Sequence, residues 1–213
     1  VKVKLGGGID LDAIRTIGRA LGRESDVRID LNMLWDKDEA LRSMPDYDKA
    51  GVRSFEQPLP TDQLDGLAEL VEKTGLYVMA DESLNDAESL EKLIDTRASN
   101  AANVRVSKCG GLMAAINRCR KALDAGMMLQ VGCQVGESSL LSAAQLALMC
   151  EVDGIRYLEG CFGTLLLEDD PVSPMLQFGH GGKPPPVPRG PGLGVTMNHE
   201  YLMQCTTRCD EVA

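Results

Sequence analysis

Short β-type runs recur along this 213-residue chain about every 25 residues, at positions 1–5, 27–31, 52–55, 76–80, 103–106, 127–131 and 155–158. Between them lie stretches with helical spacing, such as Ile9, Ile14, Ile17 and Leu21, or Leu64, Leu67, Leu70 and Val71. Strand, helix, strand in strict alternation is the pattern of parallel βαβ units. The apolar runs are short and β-branched, as strands buried on both faces should be. A closed (β/α)₈ barrel has eight strands and usually about 250 residues, so seven runs predict an α/β, TIM-like barrel that is incomplete. The absent unit is expected upstream of Val1, where the chain opens directly in a strand-like run without an initiator methionine. Residues 1–170 are expected to form the barrel domain. The Pro- and Gly-rich residues 171–213 are expected to be a tail wrapping it. An open doubly wound sheet is the alternative, and Gly6-Gly7-Gly8 is a poor match to the phosphate turn it would need.

The residues that end the runs carry the chemistry. Lys4, Asp30, Glu56, Asp81 and Arg105 end or interrupt successive strands at separations of 26, 26, 25 and 24, and Glu159 closes the last run. In a βα barrel the C-terminal strand ends converge on one mouth, so charges repeated there aim at a common centre. With 22 Lys plus Arg against 32 Asp plus Glu, the net charge of −10 disfavours nucleic acid and anionic membrane surfaces as partners. No apolar run approaches the roughly 18 residues of a membrane span, and the opening residues do not resemble a signal peptide, so a cytoplasmic protein is expected. Seven cysteines without a CxxC pair read as reduced, mostly buried small hydrophobes, Cys150 among them in an apolar stretch.

Three carboxylates, Asp30, Glu56 and Asp81, on consecutive strand tips make a hard, oxygen-rich site. Both histidines, His180 and His199, fall in the tail and read as surface groups. Oxygen-only ligation points to Mg²⁺, or Mn²⁺, with positions open for a small carboxylate substrate. Lys2 and Lys4, two apart on a strand, face the same way. Beside a carboxylate-bound metal one of them can lose its proton and act as a base. A divalent ion that takes up enolate charge, and an amine that removes the proton next to a carboxylate, make a coherent pair.

Lys2-Val3-Lys4, Asp30-Leu31-Asn32, Glu56-Gln57-Pro58, Asp81-Glu82-Ser83 and Lys108-Cys109-Gly110-Gly111 occur in order at intervals that resemble the enolase superfamily. The nearest subgroup is that of muconate lactonizing enzyme, with o-succinylbenzoate synthases and dipeptide epimerases. The resemblance covers residues 1–195. It implies Asp30, Glu56 and Asp81 as Mg²⁺ ligands, Lys4 as base with Lys2 assisting, and Asn32 and Glu82 as groups that orient the ligands. It further implies that residues 132–138, with Glu137, line the substrate, and that Glu159 matches the last-strand glutamate of the cycloisomerases. Members are usually oligomeric, which implies a homo-oligomer for the full-length protein.

Three departures bear on the reaction. The family's second base, a lysine 24 residues after the last ligand, is replaced by Arg105, and Lys108 lies three residues further on, in an expected turn. Arginine stays protonated near neutral pH and stabilises anions rather than accepting protons. This favours cycloisomerisation or syn elimination over two-base racemisation, unless Lys108 is itself the second base. The last strand reads Leu158-Glu159-Gly160, without the Asp-x-Asp by which dipeptide epimerases hold the substrate amine. The capping domain that family members carry ahead of the barrel is not in this sequence. Two other readings stand beside the first: a Schiff-base lyase using Lys2, Lys4 or Lys108, and a catalytically inactive truncated remnant. Trp35 and the methionines read as packing, and residues 179–182 as a turn.

Overall fold

The computed structural model describes residues 1–22, 26–178 and 183–207. Seven strands follow in sheet order β1 to β7: β1 (Lys2–Lys4), β2 (Val27–Asp30), β3 (Val52–Glu56), β4 (Tyr77–Ala80), β5 (Ala101–Arg105), β6 (Met128–Gly132) and β7 (Ile155–Leu158). The pairings from β1 through β5 are parallel. Each of the seven expected runs is a strand, and the sequential order of strands with helical crossovers is that of a βα barrel rather than a doubly wound sheet, which reverses its order.

The chain divides into two compact units. The first comprises Val1–Val104 with Arg118–Gln130. Its helices are α1 (Leu11–Leu21), α2 (Lys37–Lys49), α3 (Leu64–Thr74) and α4 (Ala87–Asp95). Local chemistry starts them: Asp10, Asp36 and Asp86 each accept a hydrogen bond from the backbone three residues on, and each such cap is worth about 1 kcal/mol. Period-two alternation then sorts the strands. Ile29, Phe55 and Val78 are lateral partners on β2, β3 and β4, almost wholly buried, and form the apolar row. Ile14, Leu67, Leu70, Leu90 and Leu93 supply the buried stripes of the helices. Trp35 is buried edge-on against Tyr47, with ring centroids 5.5 Å apart, and tilted over Phe55, so it is core as expected.

The second unit comprises Arg105–Asn117 and the residues from Val131 onward. It contains α5 (Val106–Cys109), α7 (Ser139–Glu151) and α8 (Gly163–Leu166), and α6 (Leu112–Asp124) begins in it. It also holds the antiparallel pair β8 (Val172–Ser173) and β9 (Thr196–Met197), and α9 (His199–Cys205). Residues 170–176 pack back onto α7. Leu176 joins Ala143 and Leu146 in a small core, and Asp170 Oδ2 accepts from Ser139 N at 2.9 Å and Ser139 Oγ at 2.7 Å. A carboxylate there also meets the positive end of the α7 dipole.

Some local readings change. β5 starts at Ala101, two residues earlier than expected, and Lys108 sits in a single helical turn, α5, rather than an open turn. Cysteines 109, 119, 133 and 161 are buried, but Cys150, near the C-terminal end of α7, and Cys205 are exposed. Residues 179–182, His180 and Cys209 lie outside the described residues. Among the described residues no helix is long and apolar enough to cross a membrane.

Candidate active site

Parallel pairing sets the first unit's polar row. Lys4 is the lateral partner of Asp30, and Asp30 of Glu56. Alternation puts Lys2, Arg28 and Ser54 on the same face one step back along each strand. Asp30 and Glu56 are 1% exposed, an expensive placement for two carboxylates unless cations accompany them. Lys2 supplies one: its Nζ lies 2.8 Å from Glu56 Oε1 and 3.1 Å from Asp30 Oδ2. Lys4 supplies the second, with Nζ donating to Asp30 Oδ2 at 3.0 Å and to Asn32 Oδ1 at 2.6 Å. Burial pushes the pKa of Asp30 up, but the two ammonium groups, Lys2 foremost, outweigh it and hold the carboxyl below its ordinary range.

Asn32 extends this chain of contacts. Left-handed at φ 42°, it turns its backbone N toward Asp30 Oδ1 and donates from Nδ2 to Glu82 Oε1 at 2.9 Å. Lys2, Lys4, Asp30, Asn32, Glu56 and Glu82 are therefore joined by direct hydrogen bonds. Asp81 is buried one residue beyond β4, two past Met79, the lateral partner of Glu56. Its backbone is fixed by Gln57, whose Oε1 accepts from Asp81 N at 3.1 Å and Ser83 N at 3.0 Å while Nε2 donates to Ser83 Oγ. As the side chains stand, no group of three or more His, Cys, Asp or Glu among the described residues could hold a metal ion. Asp30 and Glu56 share the Lys2 ammonium instead.

Four contributors escape a reading of strand-end charges: Gln57, Arg28, Asn103 and Gln130. Asn103 Nδ2 donates to Glu56 Oε1 at 2.9 Å, Gln130 Nε2 donates to Glu56 Oε2 at 3.1 Å, and Arg28 Nη1 donates to Gln130 Oε1. The available signal was polarity at alternate positions inside apolar strands: Arg28 two before Asp30, and Asn103 two before Arg105.

The second unit carries the other expected residues. Arg105, at the N-cap of α5, donates to Gln134 Oε1 at 3.1 Å. Glu137 Oε1 accepts from Ser107 Oγ at 2.6 Å and from Gln134 N at 2.7 Å. Its carbonyl accepts from the Cys161 thiol and also faces Gly163, where an added Cβ would lie 1.8 Å from the oxygen. Only glycine fits that approach. Glu159 is anchored through its backbone, N to Val131 O and O from Gln145 Nε2. Burial, reinforced by the Glu137 and Glu159 carboxylates, pushes the Cys133 thiol up to about 12, so it is not a nucleophile near neutral pH. Lys108 is half-buried in α5, three residues beyond Arg105.

Residues 1–201 match the family model described as enolase C-terminal domain-like. Muconate cycloisomerase 1 of Rhodococcus opacus is 32% identical over 208 residues, which are 96% of this chain and 55% of that protein. The L-Ala-D/L-Glu epimerase of Clostridium acetobutylicum is 32% identical over 152 residues, 69% of this chain and 42% of that one. Among solved structures, the muconate lactonizing enzyme from Pseudomonas putida superposes with a TM-score of 0.84 at 29% identity, over 95% of this chain and 56% of that chain. The chain thus spans about 55% of the length of the cycloisomerase. The match extends the strand order to a fold class: seven units of a TIM-like (β/α) barrel.

Proposed function

The chain belongs to the enolase C-terminal domain-like family, and from that footing we propose that it abstracts the proton α to a substrate carboxylate, with Mg²⁺ bound by Asp30, Glu56 and Asp81. The observation that carries this is the buried Asp30–Glu56 pair clasping one cation, Lys2 Nζ. An all-oxygen, anionic donor set of this kind suits a hard divalent ion, Mn²⁺ as well as Mg²⁺. When bound, the ion supplies positive charge for the developing enolate.

The remaining work falls to the chain's own groups. Lys4, at the strand tip and 63% exposed in its side chain, is the base whose Nζ takes the proton. Lys2 and Lys4 both reach Asp30 Oδ2, so Lys2 stands beside the base as a second ammonium on the same carboxylate. Asn32 holds Lys4 Nζ and the Glu82 carboxylate in fixed relation. Arg105, oriented by Gln134, is a permanent cation that stabilises an anion without accepting a proton. One base and one fixed cation suit cycloisomerisation or syn elimination. A second reading, epimerisation with Lys108 as the other base, is favoured by the dipeptide epimerase among the relatives.

The test is calorimetric titration with Mg²⁺ of the chain and of Asp81→Asn, followed by ¹H–²H exchange of α-protons in D₂O over a panel of small carboxylates. Saturable binding lost in Asp81→Asn, with exchange abolished by Lys4→Ala, is the expected result. Exchange with retention at one face supports the one-base reaction, and exchange at both faces that is lost in Lys108→Ala supports epimerisation. A folded sample that takes up no Mg²⁺ would favour the inactive remnant, and borohydride trapping of a carbonyl substrate would favour the Schiff-base lyase.

A further inference from the structure

Strands buried on both faces should be apolar within, yet the first unit carries Arg28, Asn103 and Gln130 in the interiors of β2, β5 and β6, at 8%, 0% and 0% exposure. Polar groups so placed are retained only where they are paired. All three pair toward one carboxylate. Asn103 Nδ2 reaches Glu56 Oε1 at 2.9 Å, and Gln130 Nε2 reaches Glu56 Oε2 at 3.1 Å. Arg28 does so at one remove, by donating Nη1 to Gln130 Oε1.

The chemistry of the three side chains makes this arrangement directional. A primary amide has one acceptor end and one donor end, whereas a guanidinium is donor-only and a carboxylate acceptor-only. With Arg28 on one side of Gln130 and Glu56 on the other, a single amide orientation satisfies both. The reversed amide would set donor against donor and acceptor against acceptor. Arg28 therefore fixes the Gln130 amide, which in turn fixes Glu56 Oε2. Asn103 fixes Oε1, and the carboxylate plane is set at both oxygens. Lys2 Nζ occupies a further direction on Oε1, the one shared with Asp30.

We infer that Arg28, Gln130 and Asn103 are positioning residues that aim Glu56 at the divalent cation, with Arg28 acting through Gln130. The inference rests on Glu56 being a metal ligand, as proposed above. Removing groups that orient a ligand typically lowers metal affinity by about 10–100-fold.

Mg²⁺ titration by calorimetry tests it, with thermal melting of each metal-free variant as the folding control. Wild type is expected to bind and Glu56→Gln to lose binding. Gln130→Met and Asn103→Leu should each weaken binding about 10–100-fold. Arg28→Met should weaken it less, and Arg28→Lys, which keeps a donor-only cation facing the amide, should retain most of it. Because Arg28 acts through Gln130, the double variant Arg28→Met/Gln130→Met should bind no more weakly than Gln130→Met alone. Fully additive losses would overturn the relay. Should Gln130→Met not fold, the contrast between Arg28→Met and Arg28→Lys carries the same decision. If wild type binds, Glu56→Gln does not, and a folded Gln130→Met binds like wild type, the positioning role alone falls. If wild type takes up no Mg²⁺, or Glu56→Gln binds as well as wild type, the metal reading falls and this inference with it.

Discussion

Lys2 serves the metal-free protein as a counter-ion before any question of catalysis arises. Its ammonium is the cation that Asp30 and Glu56 share, and its side chain is only 17% exposed. Replacing it with methionine keeps much of the volume and leaves two buried carboxylates with Lys4 alone on Asp30. Breaking a buried pair by removing one partner costs about 3–5 kcal/mol, and the lower end applies here because protonation of a carboxyl relieves part of the penalty. Lys2→Met is therefore expected to lower metal-free stability by about 3 kcal/mol in urea unfolding near neutral pH. Saturating Mg²⁺ should recover most of that loss, since a divalent ion would replace the missing charge. Unchanged metal-free stability would show that the clasp is not energetically meaningful. At this scale the sequence announced Lys2, Lys4, Asp30 and Glu56, because charges at a fixed strand position are visible in one dimension. Arg28, Asn103 and Gln130 were not announced: their meaning lies in pairings between strands, with Gln130 74 residues from Glu56 and 102 from Arg28.

Elements were legible in proportion to their length and the branching of their side chains. The runs around Val27, Val52 and Ile155 contain β-branched residues bounded by turn formers, and the strands fall there. β5 opens with Ala101-Ala102, residues of low strand propensity, and pairing with Met79 and Ala80 on β4 overrides that preference. The four residues of α5 are too few to show a helical period. Between helices, surface charge matters more than pattern. Glu69 of α3 accepts from Lys37 of α2 at 2.7 Å and also from Lys73 one turn along. Those hydrogen bonds draw its carboxyl from 4.5 down to about 2. A carboxyl whose folded value is depressed stabilises the fold above its unfolded value, near pH 4.3, and that contribution disappears as pH falls toward 2. Glu69→Gln should therefore flatten the pH dependence of the urea midpoint between about pH 4.5 and 2. Because the group is exposed, added salt should shrink the difference between variant and wild type. A difference that persists unchanged in 1 M NaCl would assign it to packing instead.

Across the whole molecule, the expected residues divide between the two compact units. Lys2, Lys4, Asp30, Asn32, Glu56, Asp81 and Glu82 belong to the first, and Arg105, Lys108, Glu137 and Glu159 to the second. A ligand that binds only the folded form stabilises whatever must be folded to bind it, by about 2.7 kcal/mol at one hundred times its dissociation constant. For a chain of this size each kcal/mol raises the melting temperature by about 2–4 °C, so saturating Mg²⁺ should add about 5–10 °C. The proposed ligands Asp30, Glu56 and Asp81 all lie in the first unit, so where scanning calorimetry resolves two transitions, only that unit's transition should climb with the logarithm of Mg²⁺ concentration. Asp81→Asn should abolish the climb. A single transition that climbs as a whole would mean that the units melt together, so that metal bound to one stabilises both. Transitions that ignore Mg²⁺ at every concentration would remove the metal from the proposed chemistry altogether, leaving Lys2 and Lys4 as the cations these carboxylates were buried with.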